Sequence, residues 1–315
     1  MKENIPLPKF LEGNSCILGE GAVIERLRRG ELELDPYLVN AAFIYEPAKR
    51  AALESICRQY LDIGCGFGLP LLLSTPTWRA SRERIEAAGY AGTDVNGDNA
   101  RFMKGLQKGY GSYADKVIVC GLMSCRGNAY DPGEALDVTE AREYHAWQAG
   151  KLAETEVDFL LAATLPALGE ATGLALALAA TGKPYLVSFV VRQEGTLLDG
   201  TPLKDAVAAI DAAVTPHPVA YLINCTHASF ARSALTHERN SSTLVRQRII
   251  GLLANTAPLT PEELDESAAL VEEAPEEFGA SVAKLHSELG LKILGGCCGT
   301  DERHIMALAA RLAAI

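Results

Sequence analysis

Three cysteines carry the most chemical information in this chain of 315 residues. Cys297 and Cys298 are adjacent, within Gly295-Gly296-Cys297-Cys298-Gly299-Thr300, and Cys225 follows Asn224 after the apolar run Val219 to Ile223. Three thiolates with one coordination position left open is the ligand count of a reactive zinc (Zn2+) centre. A structural centre usually brings four ligands in two close pairs, and this chain has no second pair. Adjacent cysteines cannot project the same way from a regular strand or helix, but flanking glycines permit a turn that aims both at one ion. The competing reading makes each a small buried apolar residue. That is the ordinary expectation for a lone Cys225 and a weaker one for a glycine-bracketed pair, so together the three favour a metal.

The rest of the composition narrows the setting. With 48% apolar and 22% charged residues, the chain has the material for a large globular core. A net charge of -11 and the absence of a basic stripe argue against nucleic acid or an anionic membrane surface as partner. The short cluster Arg26, Arg28, Arg29 reads as a solvated helix face. Eight cysteines are too sparse for a disulfide scaffold. The segment Met1 to Pro6 lacks the apolar core of a signal peptide, and no apolar stretch reaches membrane-spanning length. A reducing cytoplasm, where thiols persist as ligands, is the expected location.

Short apolar runs alternate with helical patterns. The runs are Cys16 to Leu18, Leu69 to Leu73, Val117 to Gly121, Val157 to Ala162, Pro184 to Val190, Val219 to Ile223, Ile249 to Leu253 and Lys292 to Leu294. Unbroken apolar runs suit strands buried on both faces of a parallel sheet. Helices are expected over Pro47 to Tyr60, Glu134 to Glu154, Leu165 to Ala180, Leu203 to Val214, Pro275 to Leu289 and Glu302 to Ala314. Eight strands alternating with helices predict an α/β fold, a (β/α)8 TIM barrel forming a single domain over residues 1–315. An open doubly wound sheet is the competitor. In a barrel the site lies at the C-terminal strand ends. Cys225 follows the sixth run, and Cys297 and Cys298 follow the eighth. Glu20, Ser74, Thr75, Ser124, Ser188 and Asn255 also fall at or just after strand ends, and Glu20, Thr75, Ser188 and Asn224 are the candidates for substrate binding. Tyr130, after the third run, is a candidate for lining a donor pocket or a packed tyrosine. His227 is a fourth ligand or a loop histidine, and His145 lies in a helical pattern.

Leu61-Asp62-Ile63-Gly64-Cys65-Gly66-Phe67-Gly68 resembles the glycine-rich loop of nucleotide-fold methyltransferases that use S-adenosylmethionine, with Asp94 downstream as a ribose-binding acid. The order is inverted, however. Helix precedes the glycines and strand follows them, so the segment reads as a helix C-cap turning into a buried strand.

Over nearly its whole length the chain resembles the homocysteine S-methyltransferase family of zinc-dependent thiol methyltransferases. The residues that carry the likeness are Gly295 to Thr300 with Arg303-His304-Ile305, the pair Asn224-Cys225, the block Lys183 to Phe189 continuing to Leu198-Asp199-Gly200-Thr201-Pro202-Leu203, and Tyr60 to Ser74 with Thr75-Pro76-Thr77-Trp78. The resemblance implies zinc on Cys225, Cys297 and Cys298, a small thiol as methyl acceptor and an activated methyl donor. Two departures stand out. Glu20 occupies the place of the family's first-strand aspartate, and Ala163 in Ala163-Thr164-Leu165-Pro166 occupies the place of its fourth-strand glutamate. In the family those two acids help to hold the ammonium of homocysteine.

The function expected is therefore zinc-dependent methyl transfer from a sulfonium or ammonium donor to a small thiol, with homocysteine, giving methionine, as first acceptor. S-adenosylmethionine, S-methylmethionine, a betaine and a methyl-carrier protein are all compatible donors. The alternatives are a metal-free nucleotide-fold methyltransferase and a non-enzymatic zinc or redox-sensing protein.

Overall fold

Each of the eight apolar runs becomes a strand, and the eight strands are all parallel. In the computed structural model, which describes residues 6–260, 262–263 and 272–315, they are β1 (Ile17–Gly19), β2 (Leu71–Ser74), β3 (Val117–Ser124), β4 (Phe159–Leu165), β5 (Tyr185–Phe189), β6 (Ala220–His227), β7 (Ile249–Asn255) and β8 (Ile293–Gly296). Their order is sequential, and β1 pairs with β8 through Ile17–Ile293 and Leu18–Leu294, so the sheet closes into a barrel. Closure and consecutive parallel pairing exclude the open doubly wound alternative. The N-terminal residues Met1 to Ile5 lie outside the described residues.

Both faces of these strands are buried, which is why their sequences read as unbroken apolar runs rather than alternating ones. Ile17, Leu72, Ile118, Phe159, Leu161, Leu186, Leu222 and Ile293 point inward and pack together along the barrel axis. Their neighbours Leu18, Leu71, Leu73, Leu160, Val187 and Ile223 point outward against the helices. The helix α1 (Leu7–Gly13) places Leu7, Phe10 and Leu11 in the inner cluster and so closes the barrel floor. Burial of each such side chain contributes about 1.5–3 kcal/mol. The chain's open end is therefore the opposite one, where the strands finish.

The remaining helices are α2 (Ile24–Arg29), α3 (Pro47–Phe67), α4 (Arg82–Ala87), α5 (Val95–Lys108), α6 (Val138–Ala153), α7 (Leu168–Ala179), α8 (Leu203–Ala213), α9 (Ala228–Thr236), α10 (Thr243–Arg248), α11 (Pro275–Leu289) and α12 (Glu302–Leu312). The glycine-rich segment is helical. α3 runs on through Gly64, Cys65 and Gly66 to Phe67, and Gly68 takes the left-handed conformation (φ 66°) that ends it. Asp94, the second element of the nucleotide-loop likeness, is the N-cap of α5, its side chain accepting from Gly97 N–H at 3.2 Å. α5 itself escapes sequence reading because its first turns, Asn96-Gly97-Asp98-Asn99, are poor helix formers. It persists through tertiary packing of Val95, Phe102, Met103 and Leu106. α6 starts at Val138, set by a reciprocal cap between Asp137 and Glu140 rather than at Glu134. Leu165 closes β4 instead of opening α7.

Candidate active site

A cavity of about 840 Å³ opens at the C-terminal ends of the strands, and Cys225, Cys297 and Cys298 line it. Their sulfur atoms lie within 4.8 Å of one another, with Cys225 Sγ and Cys297 Sγ 2.7 Å apart. The backbone is shaped to bring them together. In a regular strand Asn224 and Cys225 would face opposite sides of the sheet, yet both line the cavity. The register between β6 and β7 shifts between Asn224 and Thr226, and Cys225 adopts a positive φ of 51°. This bulge turns the thiol back toward the axis. Cys297 and Cys298 sit on a turn beyond β8. Cys297 N–H donates to Ala254 O at 2.7 Å, Thr300 Oγ1 donates to Cys297 O at 2.6 Å, and Gly299 (φ 84°) reverses the chain. Glu25 of α2 accepts the Gly299 N–H.

The thiols are electrically unequal. Cys298 is held well below the ordinary thiol pKa by hydrogen bonds from Cys225 and then Cys297, whereas Cys225 is pushed well above it by its hydrogen bonds to those same neighbours and by burial. The cluster thus favours one thiolate and resists two more, because like charges would be buried side by side. A divalent cation held by the three sulfurs would offset that repulsion. The donor set is all sulfur, and the cavity leaves room for one further ligand, so the residues present fit a thiophilic ion with an open position. Tyr130 Oη stands 4.0 Å from Cys298 Sγ.

A second strained strand end lies across the barrel. Thr164 has φ 55°, and the β4–β5 register shifts between Ala162 and Leu165. Left-handed backbone at a β-branched residue costs roughly 1–3 kcal/mol and persists only where its surroundings hold it. Here Asn224 Oδ1 accepts from Thr164 N–H at 2.9 Å and from Ser188 Oγ at 2.6 Å. Thr164 Oγ1 is shared with Ser124 Oγ (2.6 Å) and accepts from Trp78 Nε1 (3.1 Å). Two donors on Oδ1 fix the orientation of the Asn224 amide, and the residue lines the cavity. Ser188 is fully buried and reaches the cavity only through Asn224. The Thr75 hydroxyl is committed to Thr77 Oγ1 (2.6 Å) and Leu122 N–H (3.0 Å).

Glu20 is the acid deepest in the cavity. Its Oε1 accepts from Ser74 N–H at 2.9 Å, and its Oε2 is buried without a partner among the described residues. The residue borders the open cavity while its carboxyl is shut from solvent, and burial pushes its pKa up to about 8. Ala163 lines the same cavity with Leu122, Leu161 and Leu253, so this part of the lining is apolar.

Other sequence candidates fall elsewhere. His227 Nδ1 lies 2.8 Å from Ser229 Oγ and Nε2 lies 3.4 Å from Glu273, so it is a capping loop histidine outside the sulfur cluster. His145 is buried against Glu170 Oε1 at 3.0 Å. Cys125 is buried with Sγ 3.5 Å from Gly127 O, also outside the cluster. Asn255 ends β7 with both amide atoms buried and, among the described residues, unpartnered. The reading of Arg26, Arg28 and Arg29 as one solvated face is corrected. Arg26 turns inward to Glu302 (2.6 Å), Gln59 Oε1 (2.6 Å) and Tyr60 Oη (3.2 Å), while Arg28 and Arg29 line the cavity mouth. Sequence reasoning missed Glu25 and Arg79. Arg79 donates to the carbonyls of Cys125, Arg126 and Gly127 and stacks on Trp78 at 4.2 Å, while Glu170 accepts Arg126 N–H at 2.6 Å. Between them they fix the loop that brings Tyr130 to the sulfurs. The only available signal was that they are charged residues beside cavity-lining blocks, and that is too general to single them out.

A parallel barrel with a metal-competent triad of thiols at its open end defines a class of thiol-centred barrel proteins. This chain belongs to the homocysteine S-methyltransferase family, whose profile matches residues 17–312. It is 26% identical to the homocysteine S-methyltransferase of Escherichia coli (strain K12), over 99% of this chain and all of that one. It is 25% identical to betaine–homocysteine S-methyltransferase 1 of Bos taurus, over 96% of this chain and 74% of that one. In fold it resembles the metallated form of the homocysteine methyltransferase MmuM from Escherichia coli, with a TM-score of 0.75 at 22% identity over 98% of this chain and all of that one. Among the described residues no helix is long and apolar enough to cross a membrane.

Proposed function

We propose that the protein, acting as one barrel domain over residues 1–315 in a reducing cytoplasm, is a zinc-dependent S-methyltransferase. It moves a methyl group from a sulfonium or ammonium donor to a small thiol, with homocysteine, giving methionine, as the first acceptor. The observation that carries this is the convergence of three sulfurs, within 4.8 Å of one another, on a cavity that also holds an unpartnered buried carboxyl.

Cys225, Cys297 and Cys298 would hold the zinc. When bound, the ion lowers the pKa of an entering thiol and fixes it as a nucleophile. The chain's own residues do the rest. Glu20 Oε2 receives the acceptor's amine or another hydrogen-bond donor, and Asn224 Nδ2 donates to its polar tail. The bulges at Thr164 and Cys225, held through Asn224, keep both groups in register with the thiols. Tyr130 and Trp78 wall the side from which the donor approaches and exclude water, so that attack on the methyl carbon is in line. No side chain need act as general base, since the thiol proton leaves to solvent on binding.

The test is a screen of thiol acceptors against several methyl donors with the zinc-loaded protein, reading methylated product by mass spectrometry. Product that requires Cys297 supports the reading. A protein that binds zinc stoichiometrically yet methylates no thiol with any donor is a sensor or store instead.

A further inference from the structure

The helix α2 carries Glu25, Arg28 and Arg29 at spacings of three and four residues, which places them on one helix face. All three line the cavity. Glu25 is the inner member. Its carboxylate accepts the N–H of Gly299, the residue after Cys298, and partial burial raises its pKa. Arg28 and Arg29 are exposed at the mouth. Neither makes an ion pair among the described residues, and Asp35 lines the same cavity. Asp35 Oδ1 is occupied by the N–H groups of Tyr37 (2.8 Å) and Leu38 (2.7 Å). Both guanidiniums act on Glu25 through space, lowering its pKa against the rise from burial, without closing an ion pair with it. From the sulfurs outward, one short helix therefore presents a negative charge and then a positive pair.

We propose that Glu25, Arg28 and Arg29 are the specificity-determining residues for the methyl donor, Glu25 facing its onium group beside Cys298 and Arg28 with Arg29 holding an anionic group at its other end. This deepens the methyl-transfer reading and rests on it. Transfer forms a carbon–sulfur bond to the acceptor and breaks the methyl bond to the onium atom. The electron pair of the broken bond stays on that atom, which leaves as a neutral thioether or tertiary amine. The donor's positive charge thus falls as the transition state is reached and is gone in the product. Attraction to Glu25 is therefore greatest before reaction, so it favours donor binding and adds to, rather than lowers, the barrier from the bound complex. It also lapses when the product must leave. The arginine contacts persist throughout and set only affinity and orientation, because guanidinium pairs with carboxylate in a fixed fork.

The experiment measures equilibrium binding to the zinc-loaded full chain by calorimetry. The probes are the zwitterions glycine betaine and dimethylsulfonioacetate, with S-methylmethionine, a net cation that also carries an ammonium. Two controls each lack one charge of glycine betaine: choline, without the carboxylate, and 3,3-dimethylbutanoate, in which carbon replaces the onium nitrogen. Glu25→Gln keeps an oxygen for Gly299 N–H, and unchanged zinc content confirms an intact cysteine turn. It should weaken glycine betaine and choline roughly tenfold and leave 3,3-dimethylbutanoate unchanged, and the double variant Arg28→Ala/Arg29→Ala should do the reverse for the two controls. In turnover, Glu25→Gln should raise KM for the donor with kcat kept or somewhat raised and the thiol KM little altered. Charge-specific binding without any turnover would uphold this recognition and remove the methyl-transfer reading. Turnover with all probes weakened equally, or no zwitterion bound by the unaltered protein, overturns the proposal.

Discussion

The backbone N–H of Thr164 donates to Asn224 Oδ1 at 2.9 Å, tying the bulged end of β4 to the bulge of β6 that aims Cys225. Two left-handed residues, at φ 55° and φ 51°, are thereby held through one amide. Asn224→Ala removes the acceptor for Thr164 N–H and Ser188 Oγ, both buried. It is expected to cost about 1–3 kcal/mol of stability and to loosen zinc together, read as a lower midpoint in denaturant and faster loss of metal to a chelator. Loss of stability with full metal retention would separate the bulge from the centre.

Cys225→Ser, Cys297→Ser and Cys298→Ser are each expected to remove most bound zinc and activity while the barrel's circular dichroism is kept, since the fold's inner and outer cores do not include their sulfurs. Cys16, Cys57, Cys65, Cys120 and Cys125 lie outside the cluster, so their replacement should leave zinc content unchanged. Release of zinc by Cys125→Ala would reveal a fourth protein ligand and a closed site.

How far the site is legible in sequence depends on what fixes each residue. The eight strands are readable because burial on both faces leaves continuous apolar runs, and Cys297-Cys298 is readable because a glycine-bracketed pair has few structural uses. α5 is not, because Asn96 to Asn99 speak against a helix that only packing sustains. Nor are the bulges at Thr164 and Cys225, since no residue type there signals a positive φ. The Glu25–Gly299 contact joins residues far apart in sequence, and α2 shows a mixed charge pattern that a solvated helix would share.

On the proposed reading the acceptor's amine meets Glu20, while Ala163 stands where the resemblance to the family implies a second acid. An ammonium held by Glu20 without a second acid at Ala163 is less well compensated in a dry cavity. Homocysteine should therefore turn over weakly, or a different small thiol should be preferred. Ala163→Glu is expected to raise kcat/KM for homocysteine by roughly tenfold if the new contact contributes about 1.4 kcal/mol in the transition state. Steady-state kinetics on homocysteine and an amine-free thiol of similar length decide it. Strong preference for homocysteine in the unaltered protein, unaffected by Glu20→Gln, would defeat the argument.

Glu20 also sets a pH dependence of stability. Its pKa rises from 4.5 to about 8 on folding, so the folded state binds this proton more tightly than the unfolded chain. Below 4.5 the group is neutral in both states and costs nothing. Its penalty grows as pH climbs through that value and is complete above about 8. Glu20→Gln should therefore gain melting temperature relative to the unaltered protein as the pH is raised from about 5 to about 9. A difference that stays constant across that range would mean that the carboxyl is solvated.

X-ray absorption at the zinc edge tests the central claim most directly. With zinc bound and no substrate, the account predicts three sulfur neighbours, from Cys225, Cys297 and Cys298. Addition of the acceptor thiol should raise the count to four, with release of one proton per chain. A sulfur count that does not change when thiol is added, although the thiol is shown to bind, would contradict thiol activation at this centre.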